Sequence, residues 1–219
     1  MEGMARYPDK YFELAIVDPP YGIGVDGINP IANKSGDKNH RFDHSKMWDS
    51  AIPDAQYFAE LVRVSRNQII WGGNYFLDIL GFCKAPIIWD KLNGNSMYAD
   101  GEMAWTSKGL PKNLKIWRHQ WCGAFKDSER GVVKIHPTQK PVALYKWLLK
   151  NYAKQGDLIL DTHVGSASSL IACHDMGFDA VGFELDKDYY KASKKRLEDF
   201  MAQPRLEELA GDGWEQMEL

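Results

Sequence analysis

From Pro141 to Ala202 the chain repeats one pattern, and that pattern restricts the fold more than any other feature. "PVALYKWLLKNYA" (141–153) spaces its apolar residues along one helical face, and "DLILD" (157–161) is a short apolar run. "SASSLIACHDMG" (166–177) is helical again and stopped by Gly177, "DAVGFELD" (179–186) is strand-like, and "KDYYKASKKRLEDFMA" (187–202) reads as a long surface helix. Strands linked through helices run parallel, joined by right-handed crossovers. The first half uses the same elements. "ELAIVD" (13–18), "QIIWGG" (68–73) and "APIIWD" (85–90) are strand-like, and "DAQYFAELVRVS" (54–65) puts Phe58, Leu61 and Val62 on one helical face behind Pro53. The predicted class is α/β: a doubly wound, mostly parallel sheet with helices on both faces.

A length of 219 residues with 44% hydrophobic content suits one core, so a single domain over 1–219 is expected. The formal charge of −3 excludes nucleic-acid binding by bulk electrostatics but permits a local basic face. Cys83, Cys122 and Cys173 stand far apart without metal-ligand spacing, which argues against a disulfide or zinc scaffold and for a reducing compartment. There is no signal-peptide pattern and no apolar run of the ~20 residues a membrane helix needs, so a soluble, cytoplasmic protein is expected, with no membrane partner. Two segments break the alternation. Gly22–Asp49 is rich in Gly, Asn and Ser and reads as a long mobile loop, and 104–135 mixes short strand-like pieces with turns.

Chemistry concentrates where strands end. In "LILDTHVGSAS" a buried strand ends at Asp161 and turns through Gly165 and small residues into a helix, aiming backbone N–H groups above the sheet. Glu184 follows 23 positions later near the end of the next strand, the offset at which an acid meets ribose hydroxyls; a plain α/β turn with an exposed Glu has the same appearance. "LAIVDPPYGIG" (14–24) ends its strand in Asp18-Pro19-Pro20-Tyr21. Two prolines stiffen the turn, the Asp carboxylate and the Pro19 carbonyl are acceptors, and the Tyr ring is flat. This set suits a planar amine, with both hydrogens accepted and the ring stacked.

These residues resemble those of the DNA amino-methyltransferases, which move a methyl group from S-adenosylmethionine to adenine N6 or cytosine N4. Asp18-Pro19-Pro20-Tyr21 is similar to their catalytic motif, "DTHVGSAS" (161–168) to their cofactor loop, "GFELD" (182–186) to their ribose-binding acid, and "HPTQKP" (136–141) to the segment entering the cofactor site. Catalytic motif before cofactor motif is the order of the family's beta class. The resemblance implies a Rossmann-like methyltransferase fold, S-adenosyl-L-methionine as cofactor, no metal, and double-stranded DNA as partner with the target base flipped out of the helix. Asp in the first motif position points to adenine-N6, with cytosine-N4 transfer or a non-catalytic DNA-binding relative as alternatives. By match, Asp18 and the Pro19 carbonyl hold the target amine, with Pro20 completing the turn and Tyr21 stacking on the base. Asp18, Thr138, Lys140, Asp161, His163, Gly165, Ser166, Ser168 and Glu184 surround the cofactor. The cofactor loop departs from the usual Asp-Pro-Phe-x-Gly-Ser-Gly-Thr at Thr162, His163, Ala167 and Ser168. A protonated His163 would oppose a sulfonium, so a neutral imidazole is expected; the residue equally suits a purely structural place in the turn.

Lys108, Lys112, Lys115, Arg118, Lys126 and Arg130 form a local basic excess in 104–135, which makes that segment a candidate DNA-contacting insertion. Trp117, Trp121 and Phe125 within it suit either core or bases. The 22–49 loop, with Lys34, Lys38, Arg41 and Lys46, is expected to close over the flipped base. Without a separate recognition domain, a short recognition site or a homodimer is expected.

Overall fold

The apolar run near the N-terminus becomes a strand whose side chains alternate: Leu14 and Ile16 join one core, Ala15 and Val17 the opposite one. In the computed structural model, which describes residues 1–24, 48–94, 99–122 and 125–204, the elements follow in chain order. They are α1 (Glu2–Ala5), β1 (Phe12–Val17), α2 (Ala55–Val64), β2 (Ser65–Trp71), α3 (Leu77–Leu80), β3 (Ile87–Asp90), β4 (Gly101–Thr106), β5 (Lys115–Arg118), β6 (Trp121–Cys122), β7 (Phe125–Lys126), α4 (Val142–Tyr152), β8 (Ile159–Asp161), α5 (Ser168–Met176), β9 (Ala180–Gly182) and α6 (Lys187–Met201). Seven strands form one sheet in the order β5-β3-β4-β2-β1-β8-β9, and β6 and β7 make a separate hairpin.

One core packs Leu14, Ile16, Ile69 and Trp71 against Leu144, Leu148 and Leu149 of α4 and Ile171 and Ala172 of α5. The other packs Ala15, Val17, Ile70 and Leu160 against Tyr57, Phe58, Leu61 and Val64 of α2. Both faces are covered, as the near-continuous apolar strands required. Local signals set the helix ends. Asp54 caps α2 by accepting from the Tyr57 N–H at 2.8 Å, Asp186 caps α6 through the N–H groups of Asp188 and Tyr189, and Gly177 closes α5 in the left-handed region at φ 73°.

The mostly parallel sheet is as expected, and two other expectations are revised. The strand placed over 179–186 is confined to Ala180–Gly182, so Glu184 lies two residues past its end. The sheet is mostly parallel, but β4 runs antiparallel to both β2 and β3. The link from Asp90 to Gly101 is shorter than the dozen or so residues a parallel crossover takes, so the chain returns directly. The 104–135 segment is accordingly no separate insertion at its start, since β4 sits inside the sheet and β5 forms its edge beside β3. Among the described residues no helix is long and apolar enough to cross a membrane. Positions 25–47, which hold most of the expected loop with Lys34, Lys38, Arg41 and Lys46, lie outside the described residues.

Candidate active site

β1 and β8 are parallel neighbours, paired Leu14 to Ile159 and Ala15 to Leu160. Their carboxyl ends therefore deliver Asp18 and Asp161 to the same edge of the sheet, where open α/β folds place ligands. Each acid opens a different half of the site.

Around Asp18, Tyr21 Oη donates to Oδ1 at 2.6 Å and Lys140 Nζ to Oδ2 at 2.5 Å. The Lys140 ammonium also meets Glu102 Oε2 at 3.0 Å and Tyr21 Oη at 3.1 Å. Lys140 is 4% exposed at its side chain and Asp18 17%, so this is a mostly dry cluster. Burial pushes the Asp18 carboxyl above the ordinary carboxylate range, against the pull of the Lys140 charge. Each carboxylate oxygen accepts one of these bonds and keeps a second lone-pair site for an incoming donor. The turn is fixed from outside: Asp49 Oδ1 accepts from the N–H groups of Tyr21 and Gly22 at 2.7 and 2.9 Å. The Tyr21 ring stacks on Tyr75, centroids 5.1 Å apart and planes 18° apart, and it presses so closely on Gly72 (φ +70°) that a Cβ there would lie 2.2 Å from a ring carbon.

Around Asp161, the carboxylate is 2% exposed and accepts from the His163 N–H at 2.9 Å and from the Ser169 hydroxyl. Burial raises its pKa to about 7. Gly165, at φ +51°, donates its N–H to Glu184 Oε2 at 2.8 Å, while Glu184 Oε1 accepts from the Asp186 N–H at 2.9 Å. Glu184 thereby staples the glycine loop and retains one lone-pair site on each oxygen, which matches two vicinal hydroxyls. His163 Nδ1 lies 3.0 Å from Thr162 Oγ1, which lies 2.7 Å from Tyr57 Oη. Burial lowers the His163 pKa to about 4, so the imidazole is neutral at pH 7.

The structure brings the expected site residues together only in part. Asp161, His163, Gly165 and Glu184 meet at one loop. Lys140 instead turns its ammonium onto Asp18 and Glu102, and Thr138 Oγ1 lies 3.2 Å from His136 Nδ1. The hydroxyls of Ser166 and Ser168 are buried and 3.1 Å apart. Arg196 binds the Ser166 carbonyl at 2.6 Å and the Ser168 hydroxyl at 2.9 Å, and pairs with Glu129 at 2.8 Å, which clamps the loop from behind. Of the basic residues, Lys108, Lys112, Lys115 and Arg118 are exposed, with Arg118 3.3 Å from Asp90. Lys126 donates to the Val132 carbonyl and sits over the Trp121 ring, and Arg130 donates to the Lys126 carbonyl, so those two hold their own hairpin.

Sequence reasoning missed Glu102, Lys91, Asp49, Gly72 and Tyr75, and took His136 only as the start of the segment entering the cofactor site. His136 packs on Gly165 and on the Tyr189 ring, 4.4 Å away. The one available signal was Glu102, a lone acid in the strand-like run "EMAWTS".

This arrangement is that of a Rossmann-like methyltransferase fold, with an acid-Pro-Pro-Tyr turn on the strand beside the glycine-loop strand. Residues 93–195, just under half of the chain, match the family model described as DNA methylase, of the N6/N4 enzymes. Over 65 residues it is 37% identical to the Type II methyltransferase M.HpaI of Haemophilus parainfluenzae, a stretch covering 30% of this chain and 21% of that protein. The chain thus spans about a fifth of the length of this curated relative. The putative DNA modification methylase TTHA0409 of Thermus thermophilus, solved with S-adenosyl-L-methionine, superposes with a TM-score of 0.55 over 92% of each chain at 20% identity. The cytosine-N4-specific PvuII DNA methyltransferase superposes with a TM-score of 0.53 over 90% of this chain and 86% of its own at 12% identity.

Proposed function

We propose that the chain is an S-adenosyl-L-methionine-dependent DNA methyltransferase acting on the exocyclic N6 of an adenine extruded from duplex DNA. The observation that carries this reading is the Asp18 carboxylate, anchored by Tyr21 and Lys140 with acceptor capacity left over, one strand away from the Gly165–Glu184 loop. The loop fits the cofactor: Glu184 has free acceptor sites for ribose hydroxyls, Gly165 leaves its backbone open, and the neutral His163 puts no charge against a sulfonium. Bound there, S-adenosyl-L-methionine supplies an electrophilic methyl group.

The chain's own residues do the remainder. An aromatic amine is a weak nucleophile because its lone pair is delocalised into the ring. Acceptors on its two N–H bonds, Asp18 and the Pro19 carbonyl, draw it toward tetrahedral geometry and align it. The raised pKa of Asp18 makes it a better proton acceptor than an ordinary carboxylate, so it takes the proton the amine must shed. Extruding the base costs a few kcal/mol, recovered by aromatic stacking and edge hydrogen bonds. The exposed Lys108, Lys112, Lys115 and Arg118 supply phosphate contacts.

Aspartate in the first motif position favours adenine over cytosine. The test is transfer of a labelled methyl group to duplex DNA, followed by digestion to nucleosides. N6-methyl-2′-deoxyadenosine is expected; N4-methyl-2′-deoxycytidine would move the specificity, and no labelled nucleoside together with no heat on cofactor titration would leave a non-catalytic relative.

A further inference from the structure

β4 lies outside the catalytic turn and the cofactor loop, yet its Glu102 reaches the centre of the site. Glu102 Oε2 is 3.0 Å from Lys140 Nζ and 3.4 Å from Tyr21 Oη, and its Oε1 is 2.5 Å from Lys91 Nζ. Lys91 follows β3 directly and lies over the Trp89 ring. Four charges thus alternate in a row, Lys91, Glu102, Lys140 and Asp18, with side-chain exposures of 19%, 20%, 4% and 17%. Burying two ions of each sign is costly unless every one is paired, and here every one is. Burial alone would raise the Glu102 carboxyl, but Lys140 and Lys91 together hold it at about 2.

We propose that Glu102 is a positioning residue of the methyl-transfer site: with Lys91 as its counter-ion, it shares the Lys140 ammonium with Asp18 and so leaves Asp18 a partly free acceptor. The proposal rests on the methyltransferase reading for its kinetic part only. Lys140 has three N–H donors and three partners, Asp18, Glu102 and Tyr21. Without the Glu102 charge, the flexible lysine turns further onto Asp18. It then neutralises that carboxylate and takes the lone-pair site an incoming amine would use. The other ionisable groups facing the cluster are Tyr145 on α4, Tyr57 on α2, and His136 and Asp161 at the cofactor loop.

The experiment compares wild type, Glu102→Gln and Lys91→Met by thermal unfolding, by the NMR titration of the Lys140 side-chain amine in the protein alone, and by steady-state kinetics on duplex DNA. The two variants pull in opposite directions. Glu102→Gln is expected to lower the Lys140 titration midpoint by at least one pH unit, and Lys91→Met to raise it. Glu102→Gln should also lower kcat at least tenfold while KM for DNA stays within about threefold. An unmoved Lys140 midpoint, or both variants moving it the same way, overturns the shared ammonium. Shifted midpoints with unchanged kcat overturn the positioning role. Should Glu102→Gln fail to fold, Lys91→Met supplies the same titration readout. A wild type that methylates no DNA refutes the proposed function, while the titration arm still decides the charge row.

Discussion

Substituting Gly72 by alanine separates backbone strain from misplacement of the reacting residues. Gly72 sits at φ +70°, where an L side chain costs about 1–2 kcal/mol. The new Cβ would also lie 2.2 Å from Tyr21 Cε1, against the 3.4 Å at which ordinary contact begins, so the ring must retreat by more than 1 Å. It cannot do so freely. Its Oη holds Asp18, its N–H is held by Asp49, and its ring stacks on Tyr75. A displacement of ~1 Å in a reacting group costs on the order of 10² in rate. Gly72→Ala should therefore lower kcat/KM about 100-fold, with a Tm loss of roughly 2–8 °C from strain. Gly177→Ala is the matched control, with the same left-handed backbone at φ 73° but its nearest neighbour, Gln155, at an ordinary 3.5 Å. It should lose a similar few degrees and keep its turnover. Methyl transfer to duplex DNA and differential scanning calorimetry read both variants side by side. If Gly72→Ala turns over like Gly177→Ala, the close seat of Tyr21 on Gly72 does not matter to the reaction.

Three further outcomes are expected. Glu184→Ala should raise the cofactor dissociation constant by tenfold or more, since charge-assisted hydrogen bonds to hydroxyls are worth about 1.5–3 kcal/mol; equal titration heats and affinity would remove Glu184 from the cofactor site. Asp161 is an acid raised to about 7, so folding loses stability as pH climbs from its unfolded value near 4 to that folded value, by up to ~1.4 kcal/mol per unit, and levels off above it; Asp161→Asn should flatten this loss, and parallel Tm-against-pH curves for wild type and variant would contradict it. Neutralising Lys112, Lys115 and Arg118 together should weaken binding to any duplex and make the slope of log affinity against log salt shallower by about 0.9 per lost phosphate contact, whereas superimposed salt series would place the DNA surface elsewhere.

What could be read from the chain was whatever its physics keeps local. The strand-to-helix alternation from 141 to 202 and the cap at Gly177 act over a few residues, and those elements formed nearly where the spacing put them. The β9 strand fell short because Phe183 continues the contact only by exchanging bonds with Asp161 and Val164, after which Glu184 bends back to the glycine loop. No side-chain period marks the direction of β4; the one clue to it in the chain is the shortness of the link from Asp90 to Gly101. The residues that complete Asp18 come from far along the chain: Lys140 is 122 positions away, and Glu102 reaches Tyr21 across 81. Nothing near Lys91 or Glu102 in sequence marks them as neighbours of that turn.

The five residues from His136 to Lys140 span both halves of the site, one end against Gly165 and the other on Asp18. That segment acts as a short strut, because Gln139 is held at two points: its side-chain oxygen accepts from the Ile135 N–H and its backbone carbonyl from Trp121 Nε1. A molecule that shifts the glycine loop would push on the segment that carries the ammonium, and one that draws Asp18 away would pull on it. To the extent that the strut transmits the shift, binding at the two ends is thermodynamically linked, and linkage is reciprocal. Under the proposed function, whatever factor the cofactor applies to the affinity for DNA, DNA applies to the affinity for the cofactor.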